Sequence, residues 1–316
     1  MPSQLPPLDP DAAAIAAAVA DTPPMRKRGI AALREDLEAM PFPRDLPVMA
    51  GTEDLRIDGP WGEIPLRIHR PTLSDRAPVL VYFHGGGMCT GSNHSFEPLA
   101  RHLAHSSGAT VVSVEYHLAP ESPPPAQFDD AYAATLWTAE HADDIGIDPD
   151  RLVVIGDSAG GTLAAAVALA ARDRSGPGIS CQVLVYPGLD RDLGARSITE
   201  CADAPILSRD DVLFLNEIAD GGQGYPDSPY RIPAYADDLT GLPPAIVVTA
   251  ECDPLRDWGE RYAHRLREAR VQTTLTRYPG SYHGFVMQSD HLARGRLAVA
   301  EIGGLLRAKF AHPLPF

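Results

Sequence analysis

Gly156-Asp157-Ser158-Ala159-Gly160 joins the apolar run Leu152-Val153-Val154-Ile155 to the Ala/Leu-rich stretch 161–171, so a G-x-S-x-G sequence falls where a strand turns into a helix. No other feature restricts the fold as much. A strand that feeds through a sharp turn straight into a helix is the unit of an α/β sheet, and a serine on that turn holds its hydroxyl out at the carboxyl edge. The flanking glycines leave room for the strained backbone such a turn needs. G-x-S-x-G also occurs in turns without chemistry. The strand before it and the helix after it make Ser158 the candidate nucleophile.

A second glycine run sits in a matching position. His84-Gly85-Gly86-Gly87 follows the buried-strand pattern Val79-Leu80-Val81-Tyr82-Phe83. Consecutive glycines after a strand expose backbone amides, which acyl transfer needs because the carbonyl oxygen gains negative charge as the tetrahedral intermediate forms. The expected donors are the amides of Gly85 and Gly86, joined by that of Ala159 just after the nucleophile. A phosphate cradle is the competing reading. It lacks support, because no Gly-Lys-Ser/Thr follows and neither cluster spells G-x-G-x-x-G at the end of its strand.

A serine hydroxyl needs a base, and the base needs an orienting carboxylate. Residues 245–250 read as a buried strand with Asp253 in the loop just beyond, and 273–278 read as a further strand with His283 just past it. If these strands run parallel to the one before Ser158, all three side chains reach the same edge in the order Ser, Asp, His. Glu251 and Asp257 are the rival carboxylates. Asp253 is preferred because it stands in the first loop residues after the strand, whereas Asp257 is placed to cap the helix expected over 258–269. His102 and His105 share a helix spacing that could suit a metal, but no third ligand joins them, and no metal is expected.

Between these motifs the chain alternates. Strands at 79–83, 110–115, 152–155 and 182–186 are separated by helices near 96–106, near 128–142 and from 161, a βαβ rhythm that predicts a mostly parallel twisted sheet with helices on both faces. Segments 54–57 and 63–69 suggest an antiparallel pair around Asp58-Gly59-Pro60. Two helices, 12–20 and 26–40, precede any strand. From 188 to 236 the strand pattern stops, and 209–219 reads as a helix with Ser208 as its N-cap. The expected organisation is a helical cap made of 1–48 and 188–236 over an α/β core made of 49–187 and 237–316. The competing reading has both segments as surface excursions that never touch substrate.

Composition fits a folded chain: 316 residues, 44% hydrophobic and 22% charged. A net charge of −15 argues against nucleic acid or an anionic membrane as partner, because both would repel it. The four cysteines, Cys89, Cys181, Cys201 and Cys252, show no C-x-x-C pair, which suits free thiols in a reducing cytosol. Cys89 and Cys252 adjoin the expected site as rival thiol nucleophiles, but neither sits in an elbow. The first residues do not read as a signal peptide, and no stretch is apolar enough to span a bilayer, so a cytoplasmic protein without membrane insertion is expected.

Taken together, Tyr82-Phe83-His84-Gly85-Gly86-Gly87, Tyr116-His117-Leu118-Ala119-Pro120-Glu121, Gly156-Asp157-Ser158-Ala159-Gly160-Gly161, Asp253-Pro254-Leu255-Arg256-Asp257 and His283-Gly284-Phe285 resemble the bacterial hormone-sensitive-lipase-like branch of the α/β-hydrolases. The motifs run in the family's order from about residue 50 to the end. His117 stands where the family usually has Arg, and Met88-Cys89 where a bulkier residue is common. The resemblance implies the α/β-hydrolase fold with a helical cap, and a serine carboxylesterase with Ser158, Asp253 and His283 as triad, Gly85, Gly86 and Ala159 as oxyanion hole, and no cofactor. It implies small to medium acyl esters as substrates and allows a homodimer paired along the edge strand at 273–278. Met88, Cys89, Tyr186, Phe214 and Tyr282 are the candidate pocket residues, each of which could equally be ordinary core. A lactonase, amidase or acyltransferase on the same site, or a non-catalytic receptor for a small ligand, are the alternatives.

Overall fold

The computed structural model describes residues 5–222 and 225–313. Helices α1 (Pro10–Ala18) and α2 (Met25–Glu38) come first, and strands β1 (Gly51–Gly59) and β2 (Gly62–Arg70) form an antiparallel hairpin with Gly59 opposite Gly62. Then follow β3 (Ala77–Phe83), α3 (Glu97–Ser107), β4 (Thr110–Val114), α4 (Ala126–Glu140), a short α5 (Ala142–Ile145), β5 (Ile147–Asp157), α6 (Ala159–Asp173) and β6 (Cys181–Val185). Helices α7 (Arg196–Glu200) and α8 (Arg209–Ala219) fill the region without strands. Strand β7 (Ala245–Cys252), α9 (Arg256–Glu268), β8 (Thr273–Tyr282) and α10 (Ala293–Ala311) complete the chain.

The strands form one sheet in the order β1-β2-β4-β3-β5-β6-β7-β8, parallel from β4 to β8, with β2 antiparallel to both of its neighbours. Strand alternation sorts their side chains into two cores. Val79, Val81 and Phe83 of β3 pack on one face with Leu152 and Val154 of β5, under α4, α6 and α9. Leu80 and Tyr82 pack on the other with Val153 and Ile155, under α3 and α10. Burial on both faces is why these strands read as unbroken apolar runs rather than as an alternating pattern. Every residue of α6 from Ala159 to Ala171 is buried, and its many alanines let the helix lie close to β5.

The segments expected to form a cap divide in their contacts. Helix α1 packs through Ala12 into the core beneath β8, and Asp9 N–H donates to the Gly280 carbonyl at 2.9 Å. Helix α2 instead meets α8: the Met25 amide donates to Asp211 Oδ1 at 3.2 Å and Arg26 pairs with Glu217 at 2.8 Å. Ser208 caps α8 as expected, in a reciprocal capping box with Asp211. Asp257 does not cap α9. The helix starts at Arg256, two residues earlier than expected, so Asp257 lies inside its first turn and accepts the Ser197 amide at 2.9 Å, which ties α9 to α7.

His69 and His84 are buried inside this frame. His69 of β2 has no solvent exposure, and among the described residues neither ring nitrogen has a partner. Burial pushes both His69 and His84 down from 6.5 to about 4. The folded rings therefore stay neutral while the unfolded chain takes up protons near the ordinary value, so stability is lost as pH falls from about 6.5 towards 4. His69→Leu should flatten the fall in melting temperature across that interval, measured by calorimetry. An unchanged slope would show that His69 contributes nothing to it.

Candidate active site

Ser158 follows β5 and immediately precedes α6, with φ +54° and ψ −117°. A side chain at such a φ strains the backbone by roughly 1–3 kcal/mol unless its surroundings impose the conformation. They do. The Ser158 amide donates to the Val185 carbonyl of β6 at 2.8 Å, and its carbonyl accepts from Gly188 at 3.3 Å and Thr162 at 3.2 Å. The turn is so tight that a Cβ on Gly156 would lie 2.2 Å from the Gly160 backbone, and one on Gly160 would lie 1.9 Å from the Phe83 carbonyl. The G-x-S-x-G glycines are thus required by close approach on both sides of the serine.

Asp253 and His283 lie one residue beyond β7 and β8. His283 Nε2 is 2.8 Å from Ser158 Oγ, and its Nδ1 is 2.8 Å from Asp253 Oδ2. A carboxylate only accepts, so the ring places its proton on Nδ1 and turns the Nε2 lone pair to the serine hydroxyl. Asp253 is fully buried, and its other oxygen accepts the Leu255 amide at 2.8 Å. Tyr186 packs on the imidazole with ring centroids 4.8 Å apart. The rival carboxylates are committed elsewhere, Glu251 to the Gly280 amide at 2.9 Å and Asp257 as described above. The rival thiols are buried, and burial pushes Cys89 and Cys252 up to about 12, so both stay protonated.

The glycine loop corrects one expectation. The Gly85 amide donates to Asp157 Oδ1 at 3.1 Å, so it is spent on the elbow and is not available to a substrate oxygen. Asp157 is itself buried. Burial pushes it up to about 6, against the Tyr82 hydroxyl at 2.8 Å, the nearby His283 and the Gly85 amide, which hold it down. A Cβ on Gly85 would lie 2.6 Å from Asp157 Oδ2, so a glycine is needed there for docking against this carboxylate. Among the described residues no acceptor engages the amides of Gly86 and Gly87, and Gly87 lines the same cavity as Ser158 and Ala159. Ala159 is the first residue of α6, where amides have no partner inside the helix.

That cavity, about 390 Å³, opens above Ser158. Its apolar wall includes Leu207, Leu215, Ile232, Leu255 and Trp258, drawn largely from 188–236 and the start of α9. A polar end holds Arg191, paired through both nitrogens with Asp220 at 2.8 Å. Burial pushes Asp220 up, but Arg191 and Arg231 together keep it below the ordinary carboxylate value.

Of the expected pocket residues, Met88 lines the cavity. The other four belong to the core. Cys89 points its sulfur at the Gly87 carbonyl, Tyr186 lies behind His283, Phe214 is covered by the Arg26 guanidinium, and Tyr282 bonds Gln288 at 2.6 Å. Among the described residues no group of His, Cys, Asp or Glu side chains is placed to hold a metal, and His102 is engaged by Asp290 at 2.8 Å.

A strained strand-to-helix elbow at Ser158, hydrogen-bonded through His283 to Asp253 at the carboxyl edge of a mostly parallel sheet, and a lined cavity above it are the arrangement of an α/β-hydrolase. Residues 80–287 match a family model described as alpha/beta hydrolase fold. The chain is 45% identical over 228 residues to the carboxylesterase NlhH of Mycobacterium tuberculosis, covering 71% of this chain and 72% of the relative. It is 43% identical over 265 residues to the esterase LipI of the same organism, covering 82% of each. The solved hyperthermophilic esterase of the archaeon Pyrobaculum calidifontis superposes with a TM-score of 0.87 at 38% identity, over 96% of this chain and 99% of that one. The chain belongs to the hormone-sensitive-lipase-like branch of the α/β-hydrolases.

Because Gly160 touches the Phe83 carbonyl, Gly160→Ala should force α6 and the elbow apart. The expected loss is about 1–3 kcal/mol of unfolding free energy, read as a lower urea midpoint. A midpoint equal to that of the parent would mean that the contact is not constraining.

Proposed function

We propose that the chain is a serine carboxylesterase that hydrolyses small to medium acyl esters through an acyl-enzyme on Ser158. The observation that carries this reading is the unbroken relay from Asp253 through His283 to Ser158, with both contacts at 2.8 Å. His283 takes the Ser158 proton as the oxygen attacks the ester carbonyl, and Asp253 holds the imidazole in the tautomer this requires. The C–O bond to the alcohol breaks, and His283 returns the proton to the leaving oxygen. Water then attacks the acyl-enzyme with His283 as base, releasing the acid and restoring the serine.

The oxyanion donors in this reading are the amides of Gly86, Gly87 and Ala159, since the Gly85 amide is held by Asp157. Such donors act where charge develops, and losing one costs roughly 100- to 1,000-fold in rate. The size and apolar wall of the cavity support a compact acyl or alcohol group, and the similarity to a carboxylesterase and an esterase supports an ester as the substrate. Four cysteines without a disulfide support a reducing compartment, and among the described residues no helix is long and apolar enough to cross a membrane.

Ser158→Ala should lower hydrolysis of a short aryl ester at least about 1,000-fold while leaving the circular dichroism spectrum unchanged. Turnover close to that of the parent would overturn the assignment. With the alcohol held fixed, kcat/KM should peak at short or medium acyl length and fall for long chains, and a rise continuing through long chains would contradict the proposed substrate class.

A further inference from the structure

No residue of helix α2 is buried, although Met25, Ile30 and Leu37 pack part-buried against apolar clusters, and the rest of its seat is made by polar contacts. Arg34 makes the densest set of them. Its Nε donates to the Cys89 carbonyl at 2.7 Å and its Nη2 to the Ala119 carbonyl at 2.8 Å. The same guanidinium holds Glu121 through Nη1 at 2.8 Å and Nη2 at 2.7 Å. Glu121 is largely exposed, whereas Cys89 and Ala119 have no solvent exposure. The carbonyl bonds are therefore the ones water cannot readily replace.

Cys89 is part of the glycine loop itself. The amides of Cys89 and Thr90 both donate to the Gly86 carbonyl at 3.0 Å, and Cys89 Sγ approaches the Gly87 carbonyl at 2.9 Å. The Ala119 amide in turn donates to the Met88 carbonyl at 2.9 Å. One end of the loop is pinned to the elbow by the bond from Gly85 to Asp157. Arg34 pins the other end, together with the Ala119 segment that braces it.

We infer that Arg34 is a positioning residue: seating α2 through its guanidinium sets the direction of the Gly86 and Gly87 amides, so the oxyanion donors are in place only while α2 is docked. Lifting α2 releases Cys89 and Ala119 together and lets the loop turn. Seating the helix thereby also completes the site. This inference rests on the ester-hydrolase reading above and adds a coupling between α2 and the chemical step.

The test compares Arg34→Ala, Arg34→Lys and Glu121→Gln in the full chain, after wild type has been shown to turn over an aryl ester and to be labelled at Ser158 by a fluorophosphonate. Wild type that does neither counts against the function, not against the coupling. A displaced donor weakens the transition state and leaves substrate binding nearly alone. Arg34→Ala should therefore lower kcat about 10- to 100-fold with KM within about threefold, and the 86–90 amides should exchange hydrogen faster.

Arg34→Lys, which keeps one donor for a carbonyl, should recover part of kcat. Glu121→Gln, which removes the ion pair but leaves both carbonyl bonds, should keep kcat within about threefold of wild type. A folded Arg34→Ala variant whose kcat is unchanged while only KM or melting temperature moves would overturn the inference. So would an equal loss of kcat in Glu121→Gln. If Arg34→Ala does not fold, the Lys and Gln variants decide by the same criterion.

Discussion

The strained backbone at Ser158 is the constraint around which the rest is arranged. Holding a serine at φ +54° between a strand and a helix requires the helix to start against the strand it has just left, and Gly156 and Gly160 have no room for a side chain. That contact sets how closely α6 lies over β5 and β3, and its alanine-rich buried face follows from the same distance. The hydrogen bond from Ser158 to β6 and the parallel register from β5 to β8 then bring the ends of β7 and β8 to the same edge. Asp253 and His283 reach the serine because the sheet order is β5-β6-β7-β8.

Asp157 extends that constraint sideways. A carboxylate beside Ser158, buried and bonded to both Tyr82 and Gly85, ties the glycine loop to the elbow as one unit. Its position explains why the first of the glycines following His84 is a glycine and why that amide is not a donor to substrate. Burial costs such a group part of its charge, which is why its acidity shifts towards neutrality. The loop is then braced from outside through Cys89 and Ala119, so parts of the chain far apart in sequence meet on one short turn.

Much of this was legible in the sequence because it follows from local pattern. Strands buried on both faces appear as apolar runs, and Ser158, Asp253 and His283 each stand just past one. The Ser208 cap was readable from its own segment. Other features depended on tertiary contacts. Helix α10 carries Gly303-Gly304 in its middle and mixes basic with apolar residues, so no clean period marks it. The cavity wall comes largely from 188–236, where only α8 sets a face, through Val212, Leu215 and Ala219, and irregular chain supplies the rest, and four of the five side chains expected there are core. Which glycine amide faces the cavity is decided by Asp157, a bond that no spacing in the sequence announces.

The central claim is that Ser158 becomes covalently acylated. The most direct measurement is intact-protein and peptide mass spectrometry on samples quenched in acid during turnover of an aryl ester whose acyl group leaves the enzyme slowly. The expected result is a mass increase equal to the acyl group, confined to the peptide containing Ser158 and lost as substrate is exhausted. An adduct on another side chain, or steady turnover under slow deacylation with no adduct at all, would contradict it.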